Sequence, residues 1–121
     1  MPWQYSQRTR VLSHDGRNIG TGYSGKKGIW LNNPAQERVR DKGPIPRGQY
    51  RISAAYTHAQ KGPIVMTLTP VGHNAHGRTS FMIHGDSREN PGDASEGCIV
   101  LGPTFRSLIA ASGDTMLSVV E

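Results

Sequence analysis

Glycine and proline interrupt this 121-residue chain 15 and 8 times. In a helix interior Gly costs about 1 kcal/mol and Pro about 3 kcal/mol relative to Ala. A chain broken up this often is steered away from long helices and toward short strands joined by tight turns. Its length suits one domain with one modest core. The hydrophobic share of 35% and charges of both signs are those of a folded protein.

Residues 9–13 read as a strand, the turn residues His14–Asp15–Gly16–Arg17–Asn18 follow, and Ile19–Ser24 returns as the second arm of a hairpin. His14 is expected to be an exposed turn residue. Asn33 is placed to N-cap a short helix with Pro34 at its first position and Gln36 completing a capping-box pattern, running to about Arg40. Gly43–Pro44–Ile45–Pro46–Arg47–Gly48 forms a stiff corner, either plain or the rigid wall of a cleft, before a strand from Gln49 to Ala55. Strands are expected at Pro63–Val71 and Thr79–His84, separated by a loop carrying His73 and His76. Gly102–Pro103–Thr104 opens a helix with Phe105, Leu108 and Ile109 on one face, Gly113 caps it, and Thr115–Val120 closes the chain. The sum is a single domain over residues 1–121: a small, mostly antiparallel β-sandwich or barrel of six to eight strands with two short helices.

The net charge is +5 and the pI about 9.8. The cations are scattered, with Lys26–Lys27 the sole adjacent pair, so a solvated basic surface is favoured over a nucleic-acid partner. One cysteine excludes an intrachain disulfide. His73, His76 and His58 are read as loop residues and not as metal ligands, because structural zinc wants four ligands and no second cysteine exists. Neither cofactor nor metal is expected. No apolar run approaches the ~20 residues of a membrane span. Met1–Pro2–Trp3–Gln4–Tyr5 lacks the regions of a signal peptide, which predicts synthesis in the cytoplasm and, for any external action, export by a dedicated machine or lysis.

The chemistry concentrates between Phe81 and Leu101. The apolar run Phe81–Met82–Ile83 ends in His84–Gly85–Asp86, and Ser95–Glu96–Gly97 leads to Cys98 and a second apolar run. A thiol becomes a strong nucleophile when a neighbour lowers its pKa or takes its proton, and an imidazole does both. All five histidines precede Cys98, which disfavours a papain-like order. His84, at a strand end, is the base candidate. Asp86 or a carbonyl near Gly85 is placed to orient its ring. Ser95 is suited to hydrogen-bond within the loop, and Gly97 permits amides to face an oxyanion. The competing reading makes Cys98 a buried small hydrophobe and His84 a satisfied strand-end residue.

His84–Gly85–Asp86 followed by Ser95–Glu96–Gly97–Cys98–Ile99 resembles the active-site signature of the L,D-transpeptidase (YkuD-type) fold. Tyr23–Ser24–Gly25, Leu31–Asn32–Asn33–Pro34 and Gly43–Pro44–Ile45–Pro46–Arg47–Gly48–Gln49–Tyr50 resemble its divergent branch, which includes toxic effectors delivered by type VI secretion. The resemblance spans about Tyr23 to Leu101. It implies a small L,D-transpeptidase-like β domain in which Cys98 is the nucleophile and His84 its base, acting on peptidoglycan stem peptides between the diamino acid and the terminal D-alanine. The expected product is an acyl-enzyme, with the oxyanion held by amides near Gly97 and Cys98. Water as acceptor makes an L,D-carboxypeptidase, a free D-amino acid an exchange enzyme, and a second stem a cross-linker. By analogy with toxic relatives, a monomeric antibacterial effector acting in the periplasm of target bacteria is expected, with a cognate immunity protein as partner.

Three departures from the signature bear on that expectation. Glu96 stands where the family usually has histidine. The spacer from His84 to Ser95 is short. Val100 replaces the usual Arg or Asn, so contact with a substrate carboxylate must come from elsewhere, with Arg106, Arg88, Arg78 and Tyr23 as substrate-binding candidates. These favour trimming or exchange over cross-linking. A non-catalytic cell-wall or anion-binding module is the alternative from another class, and a general cysteine peptidase a third.

Overall fold

The computed structural model describes residues 2–121. Ten short strands run in chain order: β1 (Trp3–Ser6), β2 (Val11–His14), β3 (Arg17–Thr21), β4 (Tyr23–Ser24), β5 (Gly48–Ile52), β6 (Tyr56–His58), β7 (Gly62–Val71), β8 (Phe81–His84), β9 (Ile99–Val100) and β10 (Met116–Val120). The α-helix α1 (Pro103–Ala111) lies between β9 and β10. The protein is mostly β, as the Gly/Pro punctuation predicts.

The strands join in the order β3-β2-β1-β10-β5-β7-β8-β9-β4, with β6 against one end of β7. All pairings are antiparallel except β1 with β10 and β8 with β9. β3 and β4 stand at opposite ends of this order, yet Gly22 alone separates them in sequence. Successive Cα atoms are ~3.8 Å apart, so the sheet has to curl until its edges meet, giving a nearly closed barrel. Gly22 sits in that seam, where a Cβ would overlap the Val100 carbonyl oxygen and press on Leu101.

Alternate residues of the central strands fill the interior. Tyr5, Leu12, Tyr50, Leu68, Ile83, Ile99 and Leu117 form one buried cluster. The helix opens with Pro103 at its first turn and adds Ile109 to the core, with Phe105 packed against it. Leu108, expected on the same apolar face, is 48% exposed. Arg106 takes the inward position instead, because its guanidinium finds main-chain carbonyls there.

Other expectations are corrected. Among the described residues there are ten strands, not six to eight. One that the sequence did not suggest is β1, whose Trp3 and Tyr5 point inward and which pairs in parallel with β10. The helix expected from Pro34 to about Arg40 is a single 3-10 turn, Pro34–Gln36, although Asn33 does cap it by accepting from the Ala35 amide at 3.1 Å. It stops there because Glu37 turns its carboxylate inward to buried partners. His14 is half-buried, stacked on Trp3 with ring centroids 4.1 Å apart, and its Nε2 lies 3.0 Å from Asp114.

Candidate active site

The parallel register of β8 and β9 places Ile83 opposite Ile99 and His84 opposite Val100. Ile83 and Ile99 face the core, so His84 and Val100 belong to the other face of the sheet. One residue further back, Cys98 falls opposite Met82 on that same face. With strands ~4.8 Å apart and a rise of ~3.3 Å per residue, the Cα atoms of Cys98 and His84 are about 8 Å apart on the diagonal. The register is what brings the two together.

His84 is fully buried. Its Nδ1 lies 2.7 Å from the Gly85 carbonyl oxygen. A carbonyl only accepts, so Nδ1 carries the hydrogen and the neutral ring keeps its lone pair on Nε2. That Nε2 is buried without a hydrogen-bond partner. Burial pushes the pKa of His84 down, the Gly85 carbonyl opposes this, and the charges of Lys61, Arg106 and His58 push it further down. Of the two groups suited to orient the ring, the Gly85 carbonyl does so. Asp86 is engaged elsewhere, accepting from the Tyr23 hydroxyl at 2.6 Å, the Ser87 amide at 2.8 Å and the Gly92 amide at 3.1 Å.

Cys98 is 8% exposed, and its thiol donates to the Ser80 carbonyl at 3.8 Å. Burial pushes the thiol pKa up, the Met82 amide pulls it down, Lys61 and Arg78 lower it and Glu96 raises it. Among the described residues no hydrogen bond joins Cys98 to His84. Both shifts favour a protonated thiol and a neutral imidazole in the resting pair.

The turn before Cys98 is built from side chains distant in sequence. Ser95 Oγ accepts from the amides of Gly25 at 2.9 Å and Gly97 at 3.1 Å, and donates to the Cys98 carbonyl at 2.7 Å. The Gly97 amide is thus engaged, which leaves that of Cys98 as the oxyanion candidate of the two. Arg78 is buried behind the turn. It donates to the carbonyls of Glu37 at 2.6 Å, Pro44 at 2.8 Å, Gly43 at 3.0 Å and Glu96 at 3.4 Å. The Gly43–Gly48 corner is the wall against which this turn is held.

A cavity of about 1230 Å³ brings together His84, Gly85, Asp86, Arg88, Arg106 and Tyr23, but not Arg78, Ser95, Gly97 or Cys98. Arg88 lies exposed at its rim. Arg106 donates to the carbonyls of Leu101 at 3.0 Å, Pro63 at 2.7 Å and Ile64 at 3.2 Å, bracing the floor beneath Gly85. A second cavity of about 460 Å³ is lined by Arg78 and Ser80 among others. Cys98 stands between the two: its neighbours Glu96 and Val100 line the first, and the carbonyl that holds its thiol belongs to the second.

Two further features carry no local sign in the sequence. Gln60, Lys61 and Gly62, at the β6–β7 hairpin, line the His84 cavity. Glu37 is buried, accepting from Gln7 Nε2 at 2.9 Å and Arg47 Nε at 3.0 Å, with His76 Nε2 at 2.7 Å. Burial alone would raise its pKa, but these hydrogen bonds hold it at about 2. His76, expected to be an exposed loop residue, is exposed and also partnered by Glu37, and His73 Nε2 lies 3.0 Å from the Gln49 carbonyl. The described residues contain no cluster of three or more His, Cys, Asp or Glu placed to hold a metal, and no helix long and apolar enough to cross a membrane.

No curated protein matches the chain. The family model of the Tlde1 domain matches residues 18–112. The chain, with its buried imidazole and adjacent thiol inside that span, belongs to the Tlde1 domain family of type VI secretion effectors.

Proposed function

We propose that this protein is an L,D-transpeptidase-like cysteine enzyme that trims or exchanges the terminal D-amino acid of peptidoglycan stem peptides. The observation that carries the reading is the buried, unpartnered Nε2 lone pair of His84, a residue that lines a cavity and lies on the same sheet face as Cys98. A buried acceptor without a partner is costly, and a base awaiting a proton is a reason to keep one. Membership in a type VI effector family supports a toxin, and the proposed reaction puts its action at the wall of a target bacterium, in the periplasm.

Rotation of the Cys98 side chain away from the Ser80 carbonyl brings Sγ toward His84. Nε2 takes the thiol proton as Sγ attacks the carbonyl carbon between the diamino acid and D-alanine. The C–N bond breaks, the imidazolium returns the proton to the departing amine, and a thioester remains. Water or a free D-amino acid then attacks the thioester, its proton passing through Nε2 to the sulfur. The Cys98 amide is the donor available to the oxyanion.

Incubating purified protein with tetrapeptide muropeptides tests this by mass spectrometry. Tripeptide or D-amino-acid-exchanged products should form with wild type and not with Cys98→Ala. The buried, protonated thiol also favours a second reading, a wall-binding module without catalysis. Under that reading Cys98→Ala is as toxic in the periplasm as wild type, and no product forms.

A further inference from the structure

The cavity beside His84 carries a cation that the proposed chemistry has not yet used. Gln60, Lys61 and Gly62 line it from the β6–β7 hairpin, and Gly85, Asp86 and Glu96 from the nucleophile's own loop. The hairpin is held in place at its base. Arg106 binds the carbonyls of Pro63 and Ile64, and the His58 ring accepts from the amides of Gln60 and Lys61, each at 3.1 Å. Lys61 is therefore presented from a fixed turn.

Lys26 and Arg88 line the same cavity, but of these three cations Lys61 is the one whose charge acts on both Cys98 and His84, and Arg78 and Arg106 are committed elsewhere. The guanidinium of Arg78 lies behind the turn on four carbonyls, and that of Arg106 is engaged by three. Lys61 is exposed, and among the described residues no acceptor engages its ammonium. After burial and one backbone hydrogen bond on each group, from the Met82 amide to the thiol and to the Gly85 carbonyl from the imidazole, the charge of Lys61 acts on both, favouring the thiolate of Cys98 and disfavouring the imidazolium of His84. Glu96 is the opposing charge on the thiol.

Proton transfer decides what this cavity receives. His84 must hand its proton to the departing amine and take one from the incoming nucleophile, so both pass on the His84 side of Cys98. The departing D-amino acid carries a free carboxylate next to that amine, and so does a D-amino acid acceptor.

We propose that Lys61 is the specificity-determining residue of the leaving-group and acceptor subsite, binding the carboxylate of the amino acid that departs from or enters the Cys98 acyl-enzyme. The inference rests on the proposed reaction for its substrate and on the cavity for its charge. Lys61 then sets the partition between exchange, which needs a carboxylate-bearing amine, and hydrolysis, which does not.

Two measurements test it. In the first, wild type and Lys61→Ala act on tetrapeptide muropeptide with D-methionine or D-methioninamide as acceptor. Wild type should prefer the free acid, and the variant should lose about threefold or more of that preference, the effect of one charge at ~6 Å in water. Lys61→Arg should restore it. An unchanged preference in Lys61→Ala overturns the proposal. In the second, Cys98 is alkylated with iodoacetate and with iodoacetamide, which needs no peptidoglycan chemistry. The iodoacetate-to-iodoacetamide rate ratio should fall by a similar factor in Lys61→Ala and further in Lys61→Glu. Absence of any muropeptide product from wild type refutes the proposed reaction alone. The alkylation ratio then decides the anion site, and an unchanged ratio removes it.

Discussion

Gly97 and Arg78 meet so closely that a Cβ on residue 97 would overlap Arg78 Nη2. Gly97 also has φ +125°, a region that residues with a side chain rarely enter. The glycine before the nucleophile is thus required twice, by its own backbone and by the guanidinium behind it. Gly97→Ala should cost about 2–3 kcal/mol from the strained φ and the overlap. Its melting temperature should fall by about 10 °C. A variant as stable as wild type by thermal denaturation would show that the turn relaxes freely and that Arg78 does not fix it.

The pH dependence of Cys98 alkylation separates a neutral resting pair from a preformed thiolate–imidazolium. Burial raises the thiol pKa and lowers that of His84, so neither carries charge near pH 7. The iodoacetamide rate should climb through a midpoint above the ordinary ~8.5 of a thiol. His84→Ala should leave that midpoint unchanged, since a neutral ring exerts little field. A reactive plateau between pH 5 and 7 that vanishes in His84→Ala would contradict this arrangement.

Tyr23 ties the loop after His84 to the far end of the sheet. Its hydroxyl donates to Asp86 at 2.6 Å and accepts from the Ala94 amide at 2.8 Å, although 71 positions separate Tyr23 from Ala94. Tyr23→Phe should cost about 0.5–1.5 kcal/mol. Hydrogen exchange should accelerate at the amides of Ala94 and Gly92, with the core strands unaffected. Unaltered exchange at Ala94 would mean that the loop is held by other contacts.

Glu37 predicts an acid limb of stability. Its folded carboxyl titrates at about 2 against an ordinary 4.5, so the unfolded chain takes up the proton first as pH falls. The contribution of Glu37 is intact above about pH 4.5 and is lost between there and about pH 2. Glu37→Gln should be less stable than wild type at pH 7 and flatter across the acid range, the two curves converging at low pH. Urea denaturation at several pH values between 2 and 7 measures this, and parallel curves would exclude the mechanism.

Local chemistry accounts for what was legible in the sequence. Gly/Pro punctuation and period-two alternation mark β5, β7, β8 and β10 and the helix after Gly102, because these signals act within a few residues. The strand-end position of His84 and the Gly97–Cys98 step are equally local. Ser95 was placed in its loop bond by proximity alone, bonding Cys98 three positions away.

The remainder depends on contacts that no short window contains. Trp3–Ser6 is a strand because β10, more than a hundred positions away, pairs with it. Pro34–Gln36 stops after one turn because Glu37 finds Gln7, Arg47 and His76 inside the fold. Arg78 and Arg106 looked available to a substrate carboxylate, whereas folding engages them on main-chain carbonyls, and Lys61 reaches the cavity through the pairing of β6 with β7. The sequence by itself determined a mostly β chain with a histidine at one strand end and a thiol at the start of another. Only the tertiary structure decided that these strands are parallel neighbours, that the imidazole keeps an unpartnered Nε2, and which cations remain free, because register, burial and competing acceptors exist only once the barrel has closed.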